Sequence, residues 1–216
     1  MTPRELAILG TGATGLGVSL DEEAVDRLDR FLALLVAWNR RLRLTGERSP
    51  DAIVRHHIVD SLAAIRLLPD VGPIVDLGTG AGFPGIVLGC VRPRLPIVLV
   101  DARRRPISFL REVIRALGLE QARAVQSRAE DLARTSELAG AARLVVSRAV
   151  RLDEFLRLAR PLLAPDGLAV AMQTPRTATR LDDVARRHGL RVASVHPYEL
   201  AGGRQRTLVS FATATS

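Results

Sequence analysis

The spacing of apolar residues changes character once along the chain. Val25, Leu28, Phe31, Leu32 and Leu35 recur at three- and four-residue intervals up to Trp38, the pattern of one buried helix face. Ser19 followed by Glu22 has the spacing of a capping box and predicts the start of that helix. A second helix is predicted from Ser49 or Pro50 to about Leu68, where Pro69-Asp70-Val71-Gly72-Pro73 ends it. Beyond residue 73, short apolar runs alternate with amphipathic stretches. Strands are predicted at Ile74 to Leu77, Ile97 to Val100, Ala122 to Gln126, Leu144 to Ser147 and Leu168 to Met172, with two more near Arg191 to Val195 and Thr207 to Phe211. Helices are predicted to start near Pro84, Arg105, Ala129, Asp153 and Thr177. The expected architecture is a helical N-terminal lobe over residues 1–70 and an α/β domain over 71–216. Its open, mostly parallel seven-stranded sheet would place ligands beyond the carboxyl ends of the strands.

Composition narrows the class. At 216 residues and 47% apolar, the chain can bury a full core. Its single cysteine, Cys90, permits no intrachain disulfide, no segment approaches a membrane span, and no secretory signal is recognised around Ala7 to Leu20, so a cytoplasmic protein is expected. The net charge of +8 is unevenly spread: residues 1–70 carry 9 Arg against 10 acids, and residues 71–216 carry 22 Arg against 13 acids. Absence of lysine reflects a compositional bias, but the surplus over acids points to a polyanionic partner.

The chemistry centres on Pro73 to Gly85, where a β-branched strand runs into a turn holding Gly78, Gly80, Gly82 and Gly85. Such a turn lets bare backbone approach a nucleotide-like cofactor, and the following helix is expected to offer unpaired N–H groups. Gly80-x-Gly82-x-x-Gly85 matches the dinucleotide fingerprint literally, but so does Gly10-x-Gly12-x-x-Gly15, which has no strand–helix–strand context and is set aside. Three features favour S-adenosylmethionine over a dinucleotide. Pro84 removes an N–H that a pyrophosphate would use; Asp76 would repel a pyrophosphate yet attract an ammonium or sulfonium; and Asp101 and Ala129-Glu130 follow at successive strand ends, placed for ribose and adenine. A nicotinamide-dependent oxidoreductase and a non-catalytic RNA-binding module remain the rival readings.

The acceptor is constrained by what is missing. No Asn/Asp-Pro-Pro-Tyr/Phe run follows the fourth strand, and Cys90 lies in an apolar run where it reads as packing rather than as a nucleophile. Arg148, in Val146-Ser147-Arg148-Ala149, would instead face the cleft, able to hold a phosphate or a guanine edge, or to pair with an acid such as Glu130. A ring nitrogen such as guanine N7 has a free lone pair, so positioning would suffice. His56, His57 and Asp60 lack the further ligands of a metal site, and no metal is expected; a hydrogen bond between lobe and domain is the expected use. Trp38 reads as core, and Arg40, Arg41, Arg43 and Arg48 either as phosphate contacts or as a solvated helix end.

These residues resemble the bacterial RsmG (GidB) family of small-subunit rRNA methyltransferases over nearly the whole chain. The points of resemblance are Trp38-Asn39, Leu44-Thr45, Arg55-His56 with Asp60-Ser61-Leu62, Asp76 to Gly85, Asp101 with Arg105 and Phe109-Leu110, Gln126 to Glu130, and Ser147-Arg148-Ala149. The resemblance implies a Rossmann-like class I methyltransferase that uses S-adenosylmethionine on N7 of one guanine in 16S rRNA of the small ribosomal subunit. It further implies cofactor contacts at Gly78, Phe83, Ala129, Glu130 and Arg148. The family's usual Asn-Leu-Thr is here Arg43-Leu44-Thr45, and its Lys-Gly after the fifth strand is Gln173-Thr174, with Arg176 a substitute cation.

Overall fold

A computed structural model of the chain describes residues 1–135, 137–176 and 180–214. The first helix, α1 (Pro3–Gly15), lies ahead of any helix the periodicity predicts; Thr2 and Glu5 close a capping box at its start, and its glycines are helical rather than a ligand turn. Gly12 is required there because a Cβ would meet Val59 Cγ1 at 2.5 Å. Helix α2 (Glu22–Leu42) begins two residues later than the Ser19 signature predicts: Asp21 is the cap, accepting from the Ala24 N–H at 2.7 Å. That register also sets Glu22 and Glu23 in the first turn, where the helix dipole favours acids.

The helix predicted from residue 50 to 68 is one run of changing pitch. An α-turn, α3 (Pro50–Ile53), passes into a π-turn (Val54–Ile58), returns to α as α4 (Val59–Leu62), and tightens to a 3₁₀ turn (Ala63–Leu67). A π-turn rotates the facing of the residues after it, and here it carries His56 and His57.

The sheet holds seven strands: β1 (Ile74–Leu77), β2 (Ile97–Asp101), β3 (Ala122–Gln126), β4 (Ala142–Ser147), β5 (Leu163–Gln173), β6 (Leu190–Leu200) and β7 (Arg204–Thr213). Their order is β3-β2-β1-β4-β5-β7-β6, parallel throughout except for β7, antiparallel to both β5 and β6. The last two strands run past their predicted ends, to Leu200 and back from Arg204, because they pair as a hairpin and extend each other. Crossover helices are α5 (Gly85–Val91), α6 (Arg104–Leu117), α7 (Ala129–Thr135), α8 (Leu152–Ala159) and α9 (Leu181–Arg187). The helix predicted from Thr177 is α9, while 177–179 lie outside the described residues.

Two apolar clusters sandwich the sheet. One continuous cluster joins Leu9, Leu28, Phe31, Leu35 and Ile58 of the N-terminal helices to Phe83, Ile86, Phe109 and Leu110, so the lobe packs on one face together with α5 and α6. The other joins Leu132, Phe155, Leu156 and Ala185 beneath the opposite face. Trp38 rests on Phe109, ring centroids 5.5 Å apart, and Cys90 is fully buried with its thiol pushed up to about 12 by desolvation. Both take the packing roles expected of them.

Candidate active site

At the carboxyl end of β1 the chain closes on itself. Gly78, Gly80 and Gly82 take φ values of +71°, +56° and +98°, a backbone that a side chain strains, and a Cβ on Gly82 would lie 2.7 Å from Ile86 Cγ1. The N–H groups of this turn are nearly all engaged inside it. Those of Gly78 and Thr79 donate to the Val100 carbonyl, that of Gly80 to Asp101 at 3.1 Å, and those of Gly82 and Phe83 to the Thr79 carbonyl. Pro84 is the residue before α5 rather than its first member. Gly85 N–H donates to Asp76 Oδ2 at 2.8 Å and Ile86 N–H to the Gly82 carbonyl, so the unpaired helix N–H groups expected here are satisfied by the protein. Among the described residues no donor reaches the carbonyl oxygens of Gly78 or Gly80. The cradle therefore presents acceptors, which suits a cationic ammonium and offers little to a pyrophosphate.

Asp76 is fully buried, and desolvation pushes its carboxyl up to about 6 against the pull of Thr79 and the Gly85 N–H. Its Oδ1 has no partner, and Thr79 Oγ1 nearby falls outside hydrogen-bonding geometry. Asp101, at the end of β2, accepts from Gly80 N–H and from the backbone and guanidinium of Arg103 at 2.9 to 3.1 Å. Although burial raises its carboxyl, the bonds from Arg103 and Gly80 hold it below the ordinary value on balance.

Beyond β4, β5 and β7 lies a cleft of about 440 Å³ whose walls include His56, Asp60, Arg148, Gln173, Arg204 and Arg206. At its base Asp60, 1% exposed, accepts from Tyr198 Oη at 2.7 Å and pairs with Arg148 Nη1 at 3.3 Å and Arg206 Nε at 3.6 Å. Tyr198 and Arg206 face each other across the β6–β7 hairpin, so the strand extension that the sequence pattern misses delivers both. Arg148 also donates to the His56 carbonyl at 3.3 Å and stacks on Phe83, 5.1 Å from the ring centroid. Desolvation pulls its pKa down while Asp60 pulls it back up. Burial, then Asp60, raises the Tyr198 phenol, which stays neutral. His57 stacks on the Phe83 ring at 5.0 Å and bonds Thr45 Oγ1 through Nε2 at 2.9 Å, and burial followed by the Arg148 charge lowers it to about 4. The pocket base is thus a neutral imidazole, a neutral phenol and two guanidiniums sharing one carboxylate.

The structure brings Asp76, Gly78, Gly80, Gly82 and Asp101 together around the turn. It places Arg148 and Phe83 on the lobe side, where Phe83 is surrounded by Phe31, His57 and Arg148. Val150 joins the two halves: it lines the cleft and lies 3.1 Å from where a Gly78 Cβ would stand. Ala129 and Glu130 lie at the start of α7, just after Ser127, whose N–H donates to the Asp101 carbonyl at 3.2 Å, and half-buried Glu130 pairs with Arg157 at 3.0 Å. The partner of Arg148 is therefore Asp60, not Glu130, because the lobe and not α7 covers it. Gln173 is buried in the cleft wall and Arg176 is exposed. The side chains of His56 and His57 hydrogen-bond within the lobe, to Glu47 and Thr45, so of the three only Asp60 makes the expected hydrogen bond between lobe and domain, to Tyr198 and Arg148. Reasoning from the residues alone missed Tyr198 and Arg206; that Tyr198 is the chain's one tyrosine was the available signal.

Known proteins place this arrangement. The GidB family model, described as rRNA small subunit methyltransferase G, matches residues 24–209. Ribosomal RNA small subunit methyltransferase G of Geobacter sulfurreducens is 39% identical over 215 residues, 97% of this chain and 98% of that protein. Its counterpart in Deinococcus radiodurans is 40% identical over 218 residues, covering 97% and 85%. Among solved structures, a SAM-dependent methyltransferase from Aquifex aeolicus aligns with a TM-score of 0.58 at 15% identity, covering 74% of this chain and 92% of that one. Precorrin-6y C5,15-methyltransferase from Geobacter metallireducens aligns with a TM-score of 0.57 at 16% identity, covering 80% and 92%, and both speak to the fold alone. Since the family match runs from the second helix into the last strand, and the sequence identities extend over almost the full length, the chain belongs to the GidB family, rRNA small subunit methyltransferase G.

Proposed function

We propose that this chain transfers the methyl group of S-adenosylmethionine to N7 of a guanine in 16S rRNA of the small ribosomal subunit, acting in the cytoplasm. The observation that carries the reading is the family match along residues 24–209. In this reading residues 71–216 are the catalytic domain and residues 1–70 the lobe that walls its cleft.

The residues present fit the cofactor. Its ammonium finds the open carbonyls of Gly78 and Gly80, with the charge of the buried Asp76 carboxylate close by, an acceptor set that a dinucleotide would not use. Ribose hydroxyls meet Asp101 once the Arg103 side chain, 71% exposed, swings aside. Ala129 and Glu130 flank the adenine, and Phe83 acts from behind, as the ring on which Arg148 rests. S-adenosylmethionine supplies, when bound, a methyl group on positively charged sulfur.

Guanine N7 already carries its lone pair, so the chain needs no general base, and His57, held neutral, is not poised to act as one at its low pKa. What the cleft supplies is orientation. Arg148, fixed by Asp60, the His56 carbonyl and Phe83, is the positioning cation, and Arg151, Arg204 and Arg206 draw the phosphates of the target nucleotide.

Mapping aniline-induced cleavage on 16S rRNA incubated with S-adenosylmethionine, with and without the protein, tests the reaction directly. A single protein-dependent break is expected; an unbroken RNA overturns the reading. In the same assay Arg148→Lys, which keeps the charge and loses the fork, is expected to lower kcat while leaving cofactor affinity intact.

A further inference from the structure

The lobe as a whole is slightly acidic, yet its charge is sharply divided along α2. The acids near the N-terminal end are taken up locally: Asp29 by the chain's amino terminus, Glu23 by Arg27 and Asp26 by Arg30. At the other end, residues 40–48 hold four arginines against Glu47, a net +3. Glu47 itself is bonded to His56. Among the described residues Arg40, Arg41, Arg43 and Arg48 make no ion pair, all four are exposed, and Arg40, Arg43 and Arg48 line a separate cavity of about 570 Å³ that contains no acid.

Complementing the helix dipole accounts for Arg40 and Arg41, which sit in the last turn of α2. It does not account for Arg43 and Arg48, which lie beyond the helix. Their loop is also held in shape. Arg43 takes a left-handed φ of +50°, its N–H bonded to the Asn39 carbonyl, and the Asn39 side chain accepts from Thr45 N–H at 2.9 Å and donates to the Glu47 carbonyl at 3.0 Å. A left-handed backbone is unfavourable for a residue other than glycine, and such a conformation persists where the surroundings impose it. The cavity adjoins the active-site cleft, because Thr45 lines the one and bonds His57 of the other at 2.9 Å.

We infer that this cavity is a second phosphate-binding site, which seats the backbone of the substrate RNA outside the target nucleotide. The inference rests on the rRNA reading above. Arg43 and Arg48 on a pinned loop, with Arg40 at the end of α2 lining the same cavity, put unpaired guanidiniums next to the cleft that takes the base, where a strand continuing past the reacting nucleotide carries its phosphates.

The test is the salt dependence of binding to a full-length 16S rRNA transcript, read for the intact chain and for Arg43→Asn/Arg48→Gln. Asparagine tolerates the left-handed backbone at 43. The slope of log K against log salt is expected to shrink by about 1 to 2, and KM for the RNA to rise about tenfold, with kcat within about twofold and cofactor affinity unchanged. Arg92→Gln/Arg94→Gln removes equal charge beside Asp21, at the far end of α2, about 30 Å away, and is expected to leave the slope as it was. An unchanged slope in the Arg43/Arg48 variant, or an equal loss in the Arg92/Arg94 variant, overturns the site. A parent chain that binds the RNA but produces no aniline-sensitive break sinks the functional reading instead, since the slope is read on binding and does not depend on turnover.

Discussion

The glycine cradle and the arginine cleft lie side by side at the strand tips, but they are assembled over very different stretches of chain. Asp76 and Gly85 bond across 9 residues, whereas Asp60 reaches Arg148 across 88 and Tyr198 across 138. The cradle is shaped by backbone preference and keeps its geometry as long as its glycines remain. The cleft exists only while the lobe, the β4 end and the β6–β7 hairpin stay docked. Cofactor binding and acceptor positioning are therefore expected to respond to different perturbations, and the sharpest experiments try to make them fail together.

Asp60→Ala should do most damage. It leaves Arg148, Arg206 and Tyr198 facing one another with no carboxylate, and stability to urea is expected to fall by about 3 to 5 kcal/mol. Calorimetry on the folded fraction should still find the cofactor bound with nearly its normal affinity. Equal collapse of both would erase the distinction between cradle and cleft.

Two buried groups, one from each half, oppose each other in pH. Asp76 is raised from 3.8 to about 6 in the fold, so its contribution falls by about 3 kcal/mol as pH rises through that window. His57 is lowered from 6.5 to about 4, so its contribution falls by a similar amount as pH drops from 6.5 to 4. The parent's unfolding free energy should vary little with these groups between pH 4 and 6. Asp76→Asn should expose a rise with pH over that range, and His57→Gln a fall; a flat profile in both would show that neither group titrates as its burial requires.

Gly82→Ala, with φ at +98° and Ile86 in the way, is expected to lose about 2 kcal/mol and most cofactor affinity while leaving rRNA binding in place. Glu130→Ala is expected to change stability by less than about 0.5 kcal/mol, since its pair with Arg157 is at the surface, and to weaken cofactor binding only. Unchanged affinity in that variant would remove α7 from the adenine site.

Legibility follows the same divide. The strand and glycine turn from Ile74 to Gly85 are readable because β-branching and the need for positive φ are properties of the residues themselves. So is the alternation of strands and helices behind it. Helix α1 is not, because Gly10, Gly12 and Gly15 argue locally against a helix, while the close approach to Val59 that selects Gly12 is visible only once α1 is packed. The Ser19 signature loses to Asp21 because two capping residues stand within one turn and side-chain bonding decides between them.

By itself the sequence determined the class of fold, the cradle and the positive sign of the net charge, since each depends on interactions between near neighbours or on a simple sum. Only the tertiary structure decided that Asp60, Tyr198 and Arg206 meet beneath Arg148, and that Phe83 supports that arginine from behind. A buried carboxylate takes its meaning from whichever cations the fold brings against it, and no local pattern of residues records which those will be.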